Sequence, residues 1–352
     1  VNLNGGRNMA IKVAINGFGR IGRLAFRRCV ESGKFEVVAI NDLVGAKTLA
    51  YLLKYDTTHG QFMPDKISYN EEKNVIIFDG KTIPILNKKD PAELKWGELG
   101  VDIVLECTGR FKGKADAQIH ITNGAKGVVI SAPSDNETPT FVYGVNTDKL
   151  TKDMKVISGA SCTTNCLAPV LKIIEDKWGV DAGYMTTVHA YTNDQTILDL
   201  AKGDLRRGRA GAANVVPTST GAAKAIGLVI PSLAGRMNGG AIRVPVPDGS
   251  LVDLSLVLKT KGVTAADINA AMKEASEKEL KGVLGYTEDE IVSSDIVGIT
   301  EGSYFDATGT KILKSPDGTE LVKIISWYDN EYSYTCQYIR LAEVMAKVLG
   351  CK

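Results

Sequence analysis

The sequence predicts an α/β chain of two domains, one built on a parallel sheet and the other an α+β unit with a mostly antiparallel sheet. Three observations lead there. A strand, a glycine turn, a helix and a second strand succeed one another within residues 11–42, and uninterrupted apolar strands recur at 101–107 and 127–132. Beyond residue 150 apolar and polar residues alternate around Pro-Asp-Gly turns instead. With 352 residues, 44% hydrophobic and only 11 prolines, the chain can bury a core in each of two domains. Its 42 basic and 41 acidic residues leave a net charge of +1, so no global field recruits nucleic acid or an anionic membrane, and any anion must be bound locally.

The elements follow in order. IKVAI (11–15), the turn NGFGRIG, a helical RLAFRRCVES (23–32) and FEVVAIND (35–42) make a crossover of the length that parallel strands need. VDIVLEC (101–107) and GVVISA (127–132) are apolar at successive positions, as strands covered on both faces are. NVIIFDGKTIPIL (74–86) reads as a hairpin turning at Asp-Gly. In the second half, AIRVPVPDGSLVDLSLVLKT (241–260) and KILKSPDGTELVKIISWY (311–328) alternate apolar and polar residues and predict antiparallel strands. VTAADINAAMKEASEKEL (263–280) predicts a helix capped by Thr264 ahead of Asp267. The last segment, 331–350, has helical spacing and is expected to return to the first domain. The domains so drawn are 9–161, completed by 331–352, and 162–330. Residues 1–8 (VNLNGGRN) carry no periodicity and are placed outside the fold.

Gly17-Phe18-Gly19-Arg20-Ile21-Gly22 fits G-x-G-x-x-G, leaving a strand and opening a helix. In that setting the glycines allow a tight turn and close backbone approach, and helix N-terminal amides face a pyrophosphate. Asp42 closes the second strand 20 residues after Gly22, where a carboxylate accepts both ribose hydroxyls and repels a 2′-phosphate. Together they predict a Rossmann-type domain that takes NAD in preference to NADP. A packing turn followed by an acid that caps the next loop is the less favoured reading of the pair.

SGASCTTNCLAP (158–169) holds two of six cysteines. Zinc would need a second paired ligand cluster, which the remaining cysteines and the three histidines (59, 120, 189) do not form, so no metal is expected. A disulfide across Cys162 and Cys166 is left open by spacing alone. The nucleophile reading carries a mechanism: a strand and turn precede a helix here, which puts Cys162 at the cap or first turn, where unpaired amides and the helix dipole stabilise a thiolate. Cys166, one turn deeper, reads as a packing residue. His189 ends the strand-like GYMTTVHAYT after that helix and is the base within reach; His59 and His120, among polar residues, read as surface or structural. The scattered cysteines and the lack of a secretory signal favour a reducing, cytoplasmic setting, and no apolar run approaches a bilayer span.

These motifs, with STGAAKA (219–225), WYDNEYSYT and INGFGRIGR, resemble the phosphorylating glyceraldehyde-3-phosphate dehydrogenases, in order and from Ala10 onward. The resemblance implies glycolytic oxidation of glyceraldehyde 3-phosphate with NAD and inorganic phosphate, through a Cys162 thiohemiacetal and thioester, with His189 as base. It implies that Ser161, Thr163, Thr220 and Gly221 hold the incoming phosphate, and that Thr192, Arg243 and Arg209 meet the substrate's own. For the cofactor it implies Gly17, Gly19, Arg20, Ile21, Gly22, Asp42, Lys89 and Ser131, with Asn330 on the nicotinamide amide and Tyr334 beside that ring. Residues 191–219, long and without regular pattern, correspond to a loop at the centre of a homotetramer.

Two departures bear on the cofactor. Leu200-Ala201 stands where NAD-preferring bacterial relatives often have Leu-Pro, which leaves some NADP tolerance open, and Lys89 stands where arginine is also common. The rival activity is that of the related erythrose-4-phosphate dehydrogenases, which favour water over phosphate as acceptor. A secondary surface-binding role is compatible with the sequence, but no feature of it points there.

Overall fold

The computed structural model describes residues 10–351; the segment 1–8 that the sequence places outside the fold lies outside the described residues. The chain divides into two compact units. The first takes the described residues to Pro139, Lys149–Gly159 and the chain from Tyr338 onward; the second takes Thr140–Asp148 and Ala160–Gln337.

The first unit opens β1 (Ile11–Asn16), α1 (Arg20–Ser32), β2 (Phe35–Asn41), α2 (Ala46–Lys54). It continues through β3 (Ile67–Asn70), β4 (Val75–Phe78), β5 (Lys81–Pro84), β6 (Ile103–Glu106), α3 (Lys114–Thr122), β7 (Gly127–Ile130) and β8 (Val156–Ser158). One sheet runs β2-β1-β6-β7-β8 with every pair parallel. All four residues of β6 and of β7 are buried, the reason these strands read as unbroken apolar runs. The second sheet, β3-β4-β5, is antiparallel, and its β4–β5 turn is the expected hairpin: Asp79 and Gly80 both take positive φ (48° and 79°), as a two-residue turn matched to strand twist requires.

The second unit contains α4 (Cys162–Trp178), β9 (Val180–Ala190), β10 (Val216–Thr218), α5 (Ala222–Val229), β11 (Met237–Val244) and β12 (Ser250–Leu258). It goes on through α6 (Ala265–Glu277), β13 (Leu284–Thr287), β14 (Ser303–Lys314) and β15 (Glu320–Tyr328), before α7 (Tyr332–Leu349) carries the chain into the first unit. Its sheet, β10-β11-β9-β12-β15-β14-β13, is antiparallel except for the β11–β9 and β13–β14 pairs. Strict alternation along β12, buried at every second residue, gives the sheet one core face. Onto the core pack Leu167, Leu171 and Ile174 of α4, Ile226 of α5 and Ile268 and Met272 of α6, against Leu254, Leu256 and Ile324.

Two Pro-Asp-Gly turns with the same letters do different things. That at 316–318 closes the β14–β15 hairpin, with Ser315 N bonded to Thr319 O. That at 247–249 does not close one, because β9 lies between β11 and β12 and pairs with both. Thr264 caps α6 as expected, its hydroxyl accepting from Asp267 N while the Asp267 carboxylate accepts from Thr264 N.

Candidate functional site

Cys162 is the first residue of α4. Ser161 before it is the cap: its backbone is extended (φ −100°, ψ 165°) and its Oγ accepts from Thr164 N at 3.0 Å. The helix therefore starts where the sulfur is. His189, the penultimate residue of β9, brings Nε2 to 3.5 Å from Cys162 Sγ. The pairing of β9 with β11 sets Arg243 directly opposite His189. Arg243 Nη1 lies 2.7 Å from His189 Nδ1 and donates to Ala190 O at 2.9 Å.

The electrostatics are set by burial. Cys162 is held above the ordinary cysteine value, first because its sulfur is desolvated, against the opposing pull of the Arg243 charge and of hydrogen bonds at Thr163. The helix start is where the sequence places it, and burial of the sulfur opposes the thiolate that this position favours. His189 is pushed down to about 3 by burial and then by Arg243, so it stands neutral and able to accept a proton. Cys166 is fully buried, pushed up to about 12 by desolvation, and its sulfur faces Ser303 Oγ and the carbonyls of Ser326 and Trp327, each at 3.6 Å. All six cysteines are free thiols.

Tyr328 is a site residue that sequence reading passed over, although it stands inside WYDNEYSYT. Its buried hydroxyl joins Thr163 Oγ1 (2.9 Å) to Thr187 Oγ1 (2.8 Å), and its ring meets the His189 ring edge-on at 5.8 Å. Thr163 thereby spends its hydroxyl on the protein. Of the other expected anion ligands, Gly221 caps α5 and Thr220 Oγ1 accepts from Ala222 N, while Thr192 lies two residues past the end of β9. Arg209 is exposed and paired with Asp199 at 2.8 Å within its own loop. Asn330 is buried, its Oδ1 accepting from Ser250 Oγ at 2.7 Å, and Tyr334 donates its hydroxyl to Ala160 O.

In the first unit, a cleft of about 270 Å³ is lined by Gly17, Gly19, Asn16, Asp42, Lys89 and Thr108, among others. Gly17 has φ 90°, and a Cβ there would meet Thr108 N at 2.7 Å; a Cβ on Gly22 would lie 2.0 Å from Gly17 O. Gly19 provides no side-chain cap to the first amides of α1. Asp42 accepts from Phe18 N (2.8 Å) and Val44 N (3.1 Å), tying the strand end to the glycine loop. Backbone amides at a helix start, close-packed glycines and a carboxylate at the rim form a donor set that fits a dinucleotide. Arg20 makes a two-point bond to Asp56 (3.0 and 3.1 Å), Ile21 continues α1, and Ser131 follows β7 with its N–H on Glu106 O.

Residues 161–330 match the family model described as the glyceraldehyde 3-phosphate dehydrogenase C-terminal domain, and residues 11–114 match the NAD-binding domain of the same family. A glyceraldehyde-3-phosphate dehydrogenase of Clostridium pasteurianum is 56% identical over 339 residues, 96% of this chain and 99% of that protein. The chain belongs to the glyceraldehyde-3-phosphate dehydrogenase family. Other members include glyceraldehyde-3-phosphate dehydrogenase 1 of Bacillus subtilis, 52% identical over 96% of this chain and 99% of its own, and that of Streptococcus pyogenes serotype M3, 55% identical over 97% and 99%. The cofactor of the family's N-terminal domain is NAD, and the matched segment contains the cleft's glycine loop and Asp42.

Beneath that cleft the family member carries a buried polar network which the sequence did not disclose. The Trp96 indole N–H can only donate, and it reaches His120 Nδ1 at 3.0 Å, so the ring proton sits on Nε2 and is donated to Glu106 at 3.2 Å. Glu106 also accepts from Asn16 Nδ2 (2.6 Å), Thr108 N (2.8 Å) and Thr108 Oγ1, which fills the acceptor positions of a carboxylate. His120 is thus structural and fully buried, not a surface residue.

Proposed function

We propose that the protein converts D-glyceraldehyde 3-phosphate, NAD and inorganic phosphate to 1,3-bisphosphoglycerate and NADH. The reading is carried by the nucleophile–base pair at the start of α4, Cys162 Sγ 3.5 Å from His189 Nε2, in a chain of this family. Cys162 Sγ adds to the aldehyde carbon as its proton passes to His189 Nε2 and from there to the aldehyde oxygen, giving a thiohemiacetal. Bound NAD would supply the hydride acceptor; loss of hydride from that carbon, with the hydroxyl proton passing to His189 Nε2, leaves a thioester. A phosphate oxygen then attacks the thioester carbonyl, the C–S bond breaks, and the thiolate leaves.

In this reading Ser161, Thr163, Thr220 and Gly221 surround the attacking phosphate, with backbone amides at the starts of α4 and α5 as donors, since the Thr163 hydroxyl is engaged by Tyr328. Thr192 and Arg243 take the substrate phosphate, and the guanidinium of Arg243 suits it by offering two parallel donors. Arg209 joins that site only by leaving Asp199. Gly17, Gly19, Arg20, Ile21 and Gly22 cradle the pyrophosphate; Asp42 takes the ribose, Lys89 and Ser131 the adenosine side, and Asn330 and Tyr334 the nicotinamide. The catalytic segment is 162–330, and 9–161 with 331–352 is the NAD-binding part.

Initial rates of NADH formation with and without phosphate, repeated with NADP, test the assignment. Strong dependence on phosphate is expected, with NAD preferred; a rate indifferent to phosphate would favour the water-accepting erythrose-4-phosphate chemistry and overturn the proposal.

The quaternary state proposed is a homotetramer. Within 191–219, Ile197, Leu205 and Leu198 expose 89%, 86% and 75% of their surface, with Leu200 and Val215 also open, an apolar set that a second copy would cover. Sedimentation of the full chain as a monomer at micromolar concentration would exclude it. No helix among the described residues is long and apolar enough to cross a membrane. The proposed location is the cytoplasm.

A further inference from the structure

Three side chains at the floor of the cofactor cleft pass hydrogen bonds in one direction. The chain begins at the backbone of Lys88, whose polarity is fixed: its N–H donates and its C=O accepts. Asn41 meets both, its Oδ1 accepting from Lys88 N at 2.8 Å and its Nδ2 donating to Lys88 O at 3.0 Å. The Asn41 amide can therefore stand only one way round. Its second Nδ2 hydrogen goes to Asn16 Oδ1 at 2.8 Å, which turns Asn16 Nδ2 toward Glu106 at 2.6 Å. At this far end Glu106 also accepts from Thr108 and from the Nε2–H of His120. The directions demanded from the two ends agree, because the last group is a carboxylate and can only accept.

We infer that Glu106 is a positioning residue for the cofactor: through Asn16 and Asn41 it fixes the Lys88–Lys89 wall of the cleft, and so sets the affinity for the adenosine half of NAD. The inference rests on the reading above that places the adenosine at this cleft. Asn16, Asn41, Lys88, Lys89 and Thr108 line the cleft, and Glu106 lies below them at 1% exposure. Asn41, Asn16 and Glu106 are the last residues of β2, β1 and β6, neighbours in that order in the parallel sheet. The chain thus crosses the carboxyl ends of the strands, where open α/β sheets bind their ligands. Asn87 holds the same segment by donating to Asp42 O at 2.7 Å, so losing the chain loosens the wall without releasing it.

Glutamine has the shape of Glu106 but not its two acceptors, and each way of placing its amide meets a donor. With its NH2 at Oε1, it faces the N–H of Thr108, which is packed so closely on Gly17 that a Cβ there would lie 2.7 Å from it. With its NH2 at Oε2, it faces Asn16 Nδ2 and His120 Nε2. His120 cannot move its proton to Nδ1, because the Trp96 indole donates to that nitrogen at 3.0 Å. Rotating the Asn16 amide sets its Nδ2 against that of Asn41. Rotating Asn41 as well opposes both backbone groups of Lys88. Asn16, Asn41 and His120 are buried and Lys88 is exposed, so the conflict is relieved at Lys88, in the wall of the cleft.

Glu106→Gln tests this on the full chain, with ADP-ribose, which has the adenosine and both phosphates of NAD but no nicotinamide, as the probe in calorimetry. Its Kd is expected to rise about tenfold or more, the effect of a buried donor left without an acceptor. Turnover at saturating NAD is expected to stay within about twofold of the parent, since only uniform binding is lost. Hydrogen exchange gives a readout independent of activity: the Lys88 amide is expected to be protected in the parent and to exchange about tenfold faster in the variant without ligand, while amides of β1 and β6 keep their protection. An unchanged Kd overturns the inference. So does a raised Kd with parental protection at Lys88, which would put the effect at Thr108. Should Glu106→Gln not fold, Asn41→Ala removes both side-chain bonds to Lys88 with Glu106 in place; the same rise in Kd is expected, and an unchanged Kd again overturns the inference. If saturating ADP-ribose fails to slow exchange at residues 87–89 of the parent, the adenosine assignment fails and takes the inference with it. If it does slow exchange there and the variants bind as tightly as the parent, the assignment stands and the role of Glu106 falls.

Discussion

Replacing Cys162 with serine is expected to lower NADH formation at saturating substrate by about 10³-fold or more, since a hydroxyl is a far weaker acid than a thiol and the thiolate is the nucleophile. NAD binding, followed by quenching of protein fluorescence, should be unaffected, because the cleft lined by the glycine loop contains no part of α4. The informative contrast is Cys166→Ser. That sulfur lies one turn along the same helix but is enclosed by Ser303 and by two strand carbonyls, and its thiol is pushed up to about 12. A hydroxyl there keeps hydrogen-bonding neighbours, so turnover per folded molecule should stay within a few-fold of the parent. Equal losses in the two variants would refute the division of labour between the cysteines.

Gly22→Ala is the second large effect. The added methyl would sit 2.0 Å from Gly17 O and 3.0 Å from Gly17 C, and both contacts are backbone, so neither a rotamer change nor a flexible side chain can relieve them. The start of α1 must move away from the glycine loop. A displacement of this order at a binding loop costs about 10²-fold in function, and we expect it in KM for NAD, with an overpacking cost of about 1–3 kcal/mol in stability. Alkylation of Cys162 by iodoacetamide should continue at the parent rate, since the nucleophile and its base belong to the other unit. An unchanged KM would mean that the glycine loop does not carry the cofactor.

Features encoded by neighbouring residues were legible. Asp79-Gly80 demanded a tight hairpin, Thr264 with Asp267 demanded a capped helix start, and the glycine loop ahead of Asp42 demanded a dinucleotide fold; each is satisfied within a few positions of the signal or at a fixed spacing from it. Features that depend on what arrives from far along the chain were not. The turn at 247–249 has the letters of a hairpin, but β9, from more than fifty residues earlier, takes the place between its flanking strands. Arg20 stands in the phosphate loop, yet Asp56 engages it; nothing local to either residue announces the pair. Cys162 was placed correctly at the helix start, while its protonation is set by burial, which the local pattern does not report. The role of Tyr328 depends on hydroxyls contributed by α4 and β9, so its motif could be noticed without its function being read.

The opposition of Arg243 and His189 on adjacent parallel strands has a consequence for the length of the gene. Side chains alternate faces along a strand, so deleting one residue anywhere from Asn238 to Ile242 would leave β11 able to pair while turning Arg243 to the opposite face of the sheet. Deleting two would restore the face but draw the guanidinium about 7 Å along the strand, beyond reach of the imidazole. The segment between Met237 and Arg243 is therefore constrained in length as strictly as Arg243 is in identity, although its own residues touch none of the reacting groups. Insertions and deletions have no neutral form here.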